Sequence, residues 1–391
     1  MRITFPFRLA GLALALATSV GVAAQPQSAY FPPRHDWQRQ TPAQAGFDPA
    51  KLAEAVQFAI ANENPSTKDL AVDIPNTFRR EAPYNALIGP TAPRAGANGL
   101  VIKGGRIVAE WGDTARPDMT FSVTKTFLST VVGVAYDRGL IKDVHDRVAT
   151  YMPPNVDLFT SEKNAPITWD HLLRQTSDWS GTLWGKPDWA DRPVGQTEEQ
   201  WKNRPMFPAG TNYKYNDTRV NVLALAALHV WRDPLPGVLR REIMNPIGAS
   251  NTWRWEGYDN AWIDLDGRKV QASTGGGHFG GGMFISAFDL GRFGYLFLRN
   301  GRWDGKQLVS EKWIAMARTP GVNPLYGFMN WFVNTDRKGF PAVGEKTVTF
   351  QGNGQNIVFI DWEHDLVVVV RWIRGGTALN EFLGKVTAAL Q

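Results

Sequence analysis

The chain has 391 residues and a formal net charge of +5, with 43% hydrophobic and 20% charged residues. This length predicts about two domains, and the balance is that of a folded chain. Its basic residues form no stripe for a nucleic-acid backbone; the absence of cysteine excludes disulfides, a thiol nucleophile and cysteine-based zinc sites; and six histidines without HExxH spacing predict no metal or cofactor.

Arg2 and Arg8 precede an apolar run, Leu9 to Val22, and a small-residue site at Val22-Ala23-Ala24. This pattern predicts a signal peptide over residues 1–24, an exported (secreted or periplasmic) mature protein, and no membrane span after cleavage. Residues 29–44 read as an extended arm. Asp48-Pro49 then caps and opens a helix with an apolar face at Leu52, Ala55, Val56 and Ala59. The proline-bearing stretch 64–99 reads as loop. Leu100 to Trp111 reads as a hairpin turning at Gly104-Gly105.

From Ser122 the apolar positions Val123, Phe127, Leu128, Val131, Val132, Val134 and Ala135 nearly encircle a helix that ends at Arg138-Gly139. A helix apolar almost all round is a buried one. Residues 141–275 read as a helical block joined by loops rich in Trp, Pro and Gly. Beyond it come a helix capped by Ser286 and closed by Gly301, a strand-turn-strand unit from Asn356, and a final helix from about Ala378 to Leu390. Sheet-forming pieces thus lie at both ends. The predicted architecture is a discontinuous α/β domain, 25–140 with 276–391: an antiparallel sheet flanked by helices, with the helical domain 141–275 inserted and a cleft between them.

The buried helix raises one chemical question. Ser122 and Lys125 are three residues apart, so their side chains share a helical face. A serine hydroxyl is a weak nucleophile until a base removes its proton. Lysine serves as that base only when neutral, and burial favours the neutral form. The amide of Ser122, at a helix N-terminus, could supply half of an oxyanion hole. A Ser-x-x-Lys pair alone is weak, because a helix cap and a surface lysine fit it too. The candidate partner is Tyr215, in Tyr215-Asn216-Asp217 before a helix starting near Thr218. A phenol near a lysine can carry a proton to a leaving group; a core tyrosine followed by Asp217 as N-cap is the simpler alternative.

Four segments in order, "FSVTKTFLS", "PAGTNYKYND", "GGGMFISAFDLGRFGYLFLRNGRWDGKQLVSEKWI" and "QGNGQNIVFIDWEHDLVVVV", resemble the serine β-lactamase and penicillin-recognising superfamily. The likeness is to its class C-like branch of esterases, amidases and 6-aminohexanoate-dimer hydrolases, and it runs from about Leu100 to the C-terminus. It implies Ser122 as nucleophile, Lys125 as base and Tyr215 as second acid/base, acting on a small-molecule ester or amide. Asp217 stands where the family usually has Asn, which argues against β-lactam turnover, and Asp178 stands where relatives commonly have Gly. The third motif is irregular. Lys346-Thr347-Val348 lacks its glycine, and Gly352-Asn353 is the better source of the second oxyanion-hole amide. His278, in a glycine-rich run, is expected at the cleft rim. Trp179, Trp184 and Trp189 could wall the acyl pocket or simply staple a loop. Two rivals stay open: a β-lactamase or D-alanyl-D-alanine carboxypeptidase of the same fold, and a catalytically silent protein that binds wall peptides or other ligands.

Overall fold

In the computed structural model, residues 29–335 and 337–391 are described; the expected signal peptide, 1–24, lies outside the described residues. The hairpin read from sequence is present. Asn98–Lys103 pairs with Arg106–Trp111 through Gly104 and Gly105, at φ 58° and 82°, the left-handed backbone that a two-residue turn demands and glycine supplies. It joins a six-stranded antiparallel sheet in the order Trp331–Phe332, Val348–Gly352, Asn356–Asp361, Leu366–Arg371, Asn98–Lys103, Arg106–Trp111.

Both faces of this sheet are covered, which is why "LVVVV" is apolar without alternation. Val101, Val368 and Val370 face the helices Pro49–Ala61 and Thr377–Ala388, meeting Leu52, Ala55, Phe382 and Leu383. Leu100, Ile102, Val367 and Val369 face the opposite way, toward the helix Ala287–Leu298 with Leu290 and Phe293. The period of two along each strand sorts one sequence into two cores. Asp48 and Ser286 cap their helices as read, each side chain accepting backbone N–H bonds. Among the described residues, no helix is long and apolar enough to cross a membrane.

Two readings need correction. The block 141–275 is not uniformly helical. It holds the helices Trp169–Leu173, Glu198–Lys202, Asp217–Trp231 and Leu235–Leu239, but also the long strands Arg254–Leu265 and Arg268–Ser273. These turn at Asp266-Gly267, φ 54° and 78°, and belong to a second sheet with Gly282–Ile285 and Asp118–Met119. The stretch 64–99 is not all loop either. Asp69 caps a helix, Leu70–Thr77, that tolerates Pro75 near its end.

The two sheets are tied together just before the candidate nucleophile. Arg371, fully buried, donates to the carbonyls of Ile285 (2.7 Å) and Met119 (2.9 Å) and to Asn356 Oδ1 (2.7 Å). Asp118 Oδ2 accepts from Trp372 Nε1 and from the Ala95 amide, each at 2.8 Å. These bonds satisfy buried polar groups and hold residues 118–121 against the main sheet.

Candidate active site

Ser122 lies in a tight turn, Phe121–Val123, that leads directly into the helix Thr124–Asp137. Phe121 has φ 50°, a conformation that costs a bulky residue energy. Its ring is fully buried, edge-on to Trp372 at 6.1 Å, and this packing holds the turn in place. Ser122 stays partly exposed while the helix behind it is buried from Thr124 through Ala135.

Lys125 Nζ lies 2.8 Å from Ser122 Oγ, and Lys125 is only 1% exposed. Tyr215 completes the group. Its phenol interacts electrostatically with Lys125, and its ring lies 4.9 Å from Lys125 Nζ and stacks on Trp331 at 5.7 Å. The three residues singled out from sequence therefore meet at one point.

Asp217 is not the helix cap. Asn216 takes that role, accepting from the Arg219 amide at 3.0 Å. Asp217, in the first turn of the helix Asp217–Trp231, points instead at the lysine: Oδ1 is 2.6 Å from Lys125 Nζ and Oδ2 is 2.9 Å from His278 Nδ1. His278 is buried rather than at a rim. Its Nε2 lies 2.8 Å from Glu81 Oε2, and its ring stacks on Phe78 at 3.7 Å. Glu81 and Phe78 were not found from sequence. They follow the unforeseen helix Leu70–Thr77, and Glu81 is 197 positions from His278.

The charges correct a further expectation. Burial alone would push Lys125 toward neutrality, but Asp217 and Tyr215 outweigh it and hold the ammonium above its ordinary value. Burial would likewise raise the Asp217 carboxyl, but Lys125 and His278 overcome it and hold Asp217 far below the usual range. Burial opposes charge on His278, yet Asp217 and Glu81 bring it up to about 10. Burial raises Glu81, with His278 opposing. The Tyr215 phenol is also raised, chiefly by burial. An imidazole whose two nitrogens face carboxylates is best satisfied with both protonated. The resting chain thus reads Ser122 hydroxyl, Lys125 ammonium, Asp217 carboxylate, His278 imidazolium, Glu81.

Asp191, Asp217 and His278 bring three potential ligand atoms within 4.8 Å of one another. Lys125 already occupies one Asp217 oxygen, and His278 turns its ring nitrogens to Asp217 and Glu81. Asp217 and His278 are thus joined to Lys125 and Glu81 in one charge network.

Gly352 ends its strand beside Ser122. A Cβ there would lie 2.1 Å from the Thr120 carbonyl oxygen and 3.2 Å from the Ser122 nitrogen, so this strand end runs against the turn that carries Ser122. Asn353 forms the following turn, its carbonyl accepting from Asn356 Nδ2 at 2.8 Å. Lys346 and Thr347 lie before the other end of that strand. On the opposite side, a Cβ at Gly276 would lie 2.6 Å from Lys125 Nζ and 3.5 Å from Ser122 Oγ. Asp178 adopts φ 43°, the backbone that glycine would suit, and is held by Arg204 and Arg219. Of the tryptophans, Trp179 is core, its Nε1 bonded to the Leu158 carbonyl at 2.7 Å. Trp189 is half-buried, edge-on to Tyr84. Trp184 is half-buried in the turn of a short hairpin, edge-on to Tyr258 at 5.7 Å.

Fold and site together define a serine hydrolase of the β-lactamase fold. The Beta-lactamase family profile matches residues 85–380, well over half of the chain, and the chain belongs to that family. The 6-aminohexanoate-dimer hydrolase of Paenarthrobacter ureafaciens is 25% identical over 230 residues, 55% of this chain and 55% of that protein; the chain spans about half the length of this curated relative. EstCE1, a hydrolase with promiscuous acyltransferase activity, shares the fold with a TM-score of 0.56 at 16% identity, over 87% of this chain and 98% of its own. A penicillin-binding protein homologue from Caulobacter crescentus gives 0.53 at 15% identity, over 82% and 98%.

Proposed function

We propose that the protein is an exported hydrolase of small esters or amides that works through an acyl-enzyme on Ser122. The observation that carries this reading is the 2.8 Å contact between an accessible Ser122 and a buried Lys125 at a helix start. Lys125, in its neutral form, takes the hydroxyl proton as Ser122 Oγ bonds to the carbonyl carbon. The ammonium that forms is stabilised by Asp217, and the tetrahedral oxyanion by backbone amides at Ser122 and near Gly352. Tyr215 then gives its proton to the leaving alkoxide or amine and recovers one from Lys125. The serine proton has thus moved to the leaving group, and the base is neutral again. Water reverses the sequence to free the acid. The relative's printed name supports an amide substrate, and EstCE1 supports acyl chemistry on this fold. The apolar stretch Leu9 to Val22 supports export.

The test is a panel of small esters and linear amides, with a chromogenic cephalosporin as the β-lactam arm, on wild type and Ser122→Ala. Mass spectrometry should find one acyl or fluorophosphonate adduct on Ser122 and none on the variant. Labelling that persists in Ser122→Ala sinks the assignment, and absence of turnover and of any adduct in wild type would favour a silent binding protein.

A further inference from the structure

Asp217 is contested by two cations. Its Oδ1 holds the Lys125 ammonium at 2.6 Å and its Oδ2 holds His278 at 2.9 Å. A carboxylate that gave its whole field to Lys125 would fix the lysine as ammonium, and an ammonium cannot take a proton from serine. A second positive charge on the far oxygen offsets part of that field. His278 can supply this charge only if something keeps it protonated in a buried site. Glu81, fully buried, meets its Nε2 at 2.8 Å, and Phe78 stacks flat on the ring. The other Glu81 oxygen, Oε1, is buried with no hydrogen-bond partner among the described residues. A buried carboxyl with one oxygen unpaired is a cost that packing alone does not explain.

We propose that Glu81 and His278 are positioning residues that tune the base: Glu81 keeps the His278 imidazole doubly protonated, and the imidazolium shares Asp217 with Lys125 so that the lysine can release its proton. This rests on the acyl-enzyme reading above, and it assigns a purpose to two groups that the proton path itself does not use. The other ionisable groups around the pair are accounted for. Asp191 accepts from the Asp217 amide at 3.2 Å and is paired with Arg80 and Lys214. Lys186, on which Glu81 acts as a nearby charge, donates to the carbonyls of Tyr84 and Ala86, each at 2.7 Å. Tyr215 lies against Lys125, its ring 4.9 Å from Nζ. None of these touches His278, so Asp217 and Glu81 set its charge.

The experiment follows the rate of Ser122 labelling by a fluorophosphonate from pH 6 to 10, in wild type and Glu81→Gln, beside a nitrogen-15 NMR titration of His278. In wild type His278 should stay doubly protonated through pH 8, and the labelling rate should climb about tenfold per pH unit with no break below pH 9. In Glu81→Gln, with one carboxylate partner gone, His278 should titrate between about pH 7 and 9. The rate profile should then flatten at that same pH, falling roughly 10- to 50-fold behind the wild type above it. A break in the rate that coincides with the imidazole titration is something a packing defect would not produce. A Glu81→Gln profile that is parallel to wild type at every pH, however low, overturns the proposal. So does a wild-type His278 that is singly protonated at pH 8, a result that needs no variant to fold. Failure of wild-type Ser122 to label at all would instead refute the acyl-enzyme reading beneath it.

Discussion

Asp217→Asn perturbs the site most cleanly, because it removes one charge and little volume. Asp217 Oδ1 lies 2.6 Å from Lys125 Nζ. At that separation, and in an effective dielectric of about 20, the gross attraction is about 6 kcal/mol. An asparagine oxygen still accepts a hydrogen bond, so only part of that attraction is lost. Burial, no longer outweighed, then drives Lys125 downward. The rising limb of Ser122 labelling should move clearly to lower pH, gaining at least about tenfold in rate at about pH 7 to 8. The shift is opposite in sign to that expected for Glu81→Gln. Stability should also fall, because a broken buried pair typically costs about 3–5 kcal/mol, less whatever Lys125 and His278 regain by releasing protons. Urea unfolding at pH 7 measures that loss. A rising limb that stays put, or moves to higher pH, would show that Asp217 does not set the charge of the base, and the reasoning would fail.

Gly276→Ala should strike catalysis through the base. The new methyl would lie 2.6 Å from Lys125 Nζ, which is buried in its pair with Asp217, so displacing it should cost about 1–3 kcal/mol while Ser122 labelling drops at least tenfold; unchanged labelling by intact-mass kinetics contradicts the placement of Lys125. Gly352→Ala should do both kinds of damage, since its methyl would meet the Thr120 carbonyl at 2.1 Å; calorimetry should show a loss of about 1–3 kcal/mol, and a neutral result would remove this strand end from the nucleophile turn. Stability should also depend on pH through His278, which goes from an ordinary 6.5 to about 10 on folding. Its contribution is complete below about pH 6.5 and is lost as pH rises toward 10, at up to about 1.4 kcal/mol per unit. Lys186, brought down to about 8 by burial, from 10.5, works the other way above pH 8. The net decline should therefore be steepest between about pH 6.5 and 8. Urea titrations that find no decline there, or find it intact in His278→Asn, contradict the assignment.

Much of this arrangement was readable because local rules decide it. Gly104-Gly105 specifies a two-residue turn, Asp48 and Ser286 are caps, and Ser122 with Lys125 share a face whenever that segment is helical. The misses have equally local causes. Asp266-Gly267 is a strong hairpin signal, but it sits among helical segments and the strands around it were read with their neighbours. Pro75 hid a helix that ends two residues later. Asn216 and Asp217 are both good caps, and only tertiary packing decides which one caps and which is left to meet Lys125. Glu81 had no signal at all. Its partner lies 197 residues away, and a lone glutamate in a loop looks like any solvated charge.

The lysine shows most clearly why burial alone cannot assign a charge state. Burial of Lys125 was foreseen and is nearly total, yet the sign of its shift is the reverse of what burial implies. The carboxylate buried with it decides the matter. At pH 7 a lysine near its ordinary value is neutral about once in several thousand molecules, and one held higher is neutral less often still. On the proposed acyl-enzyme reading, the same carboxylate makes the neutral form a stronger base and stabilises the ammonium formed beside the oxyanion. Asp217 would then exchange population of the reactive form for strength of the proton transfer, and an Asn at this position would make the opposite exchange. With Asp217 in place, any charge that draws on its far oxygen becomes a control on the base. His278 stands at that oxygen, which is why the pH profile of Ser122 reactivity, rather than its rate at one pH, is the measurement on which this site should be judged.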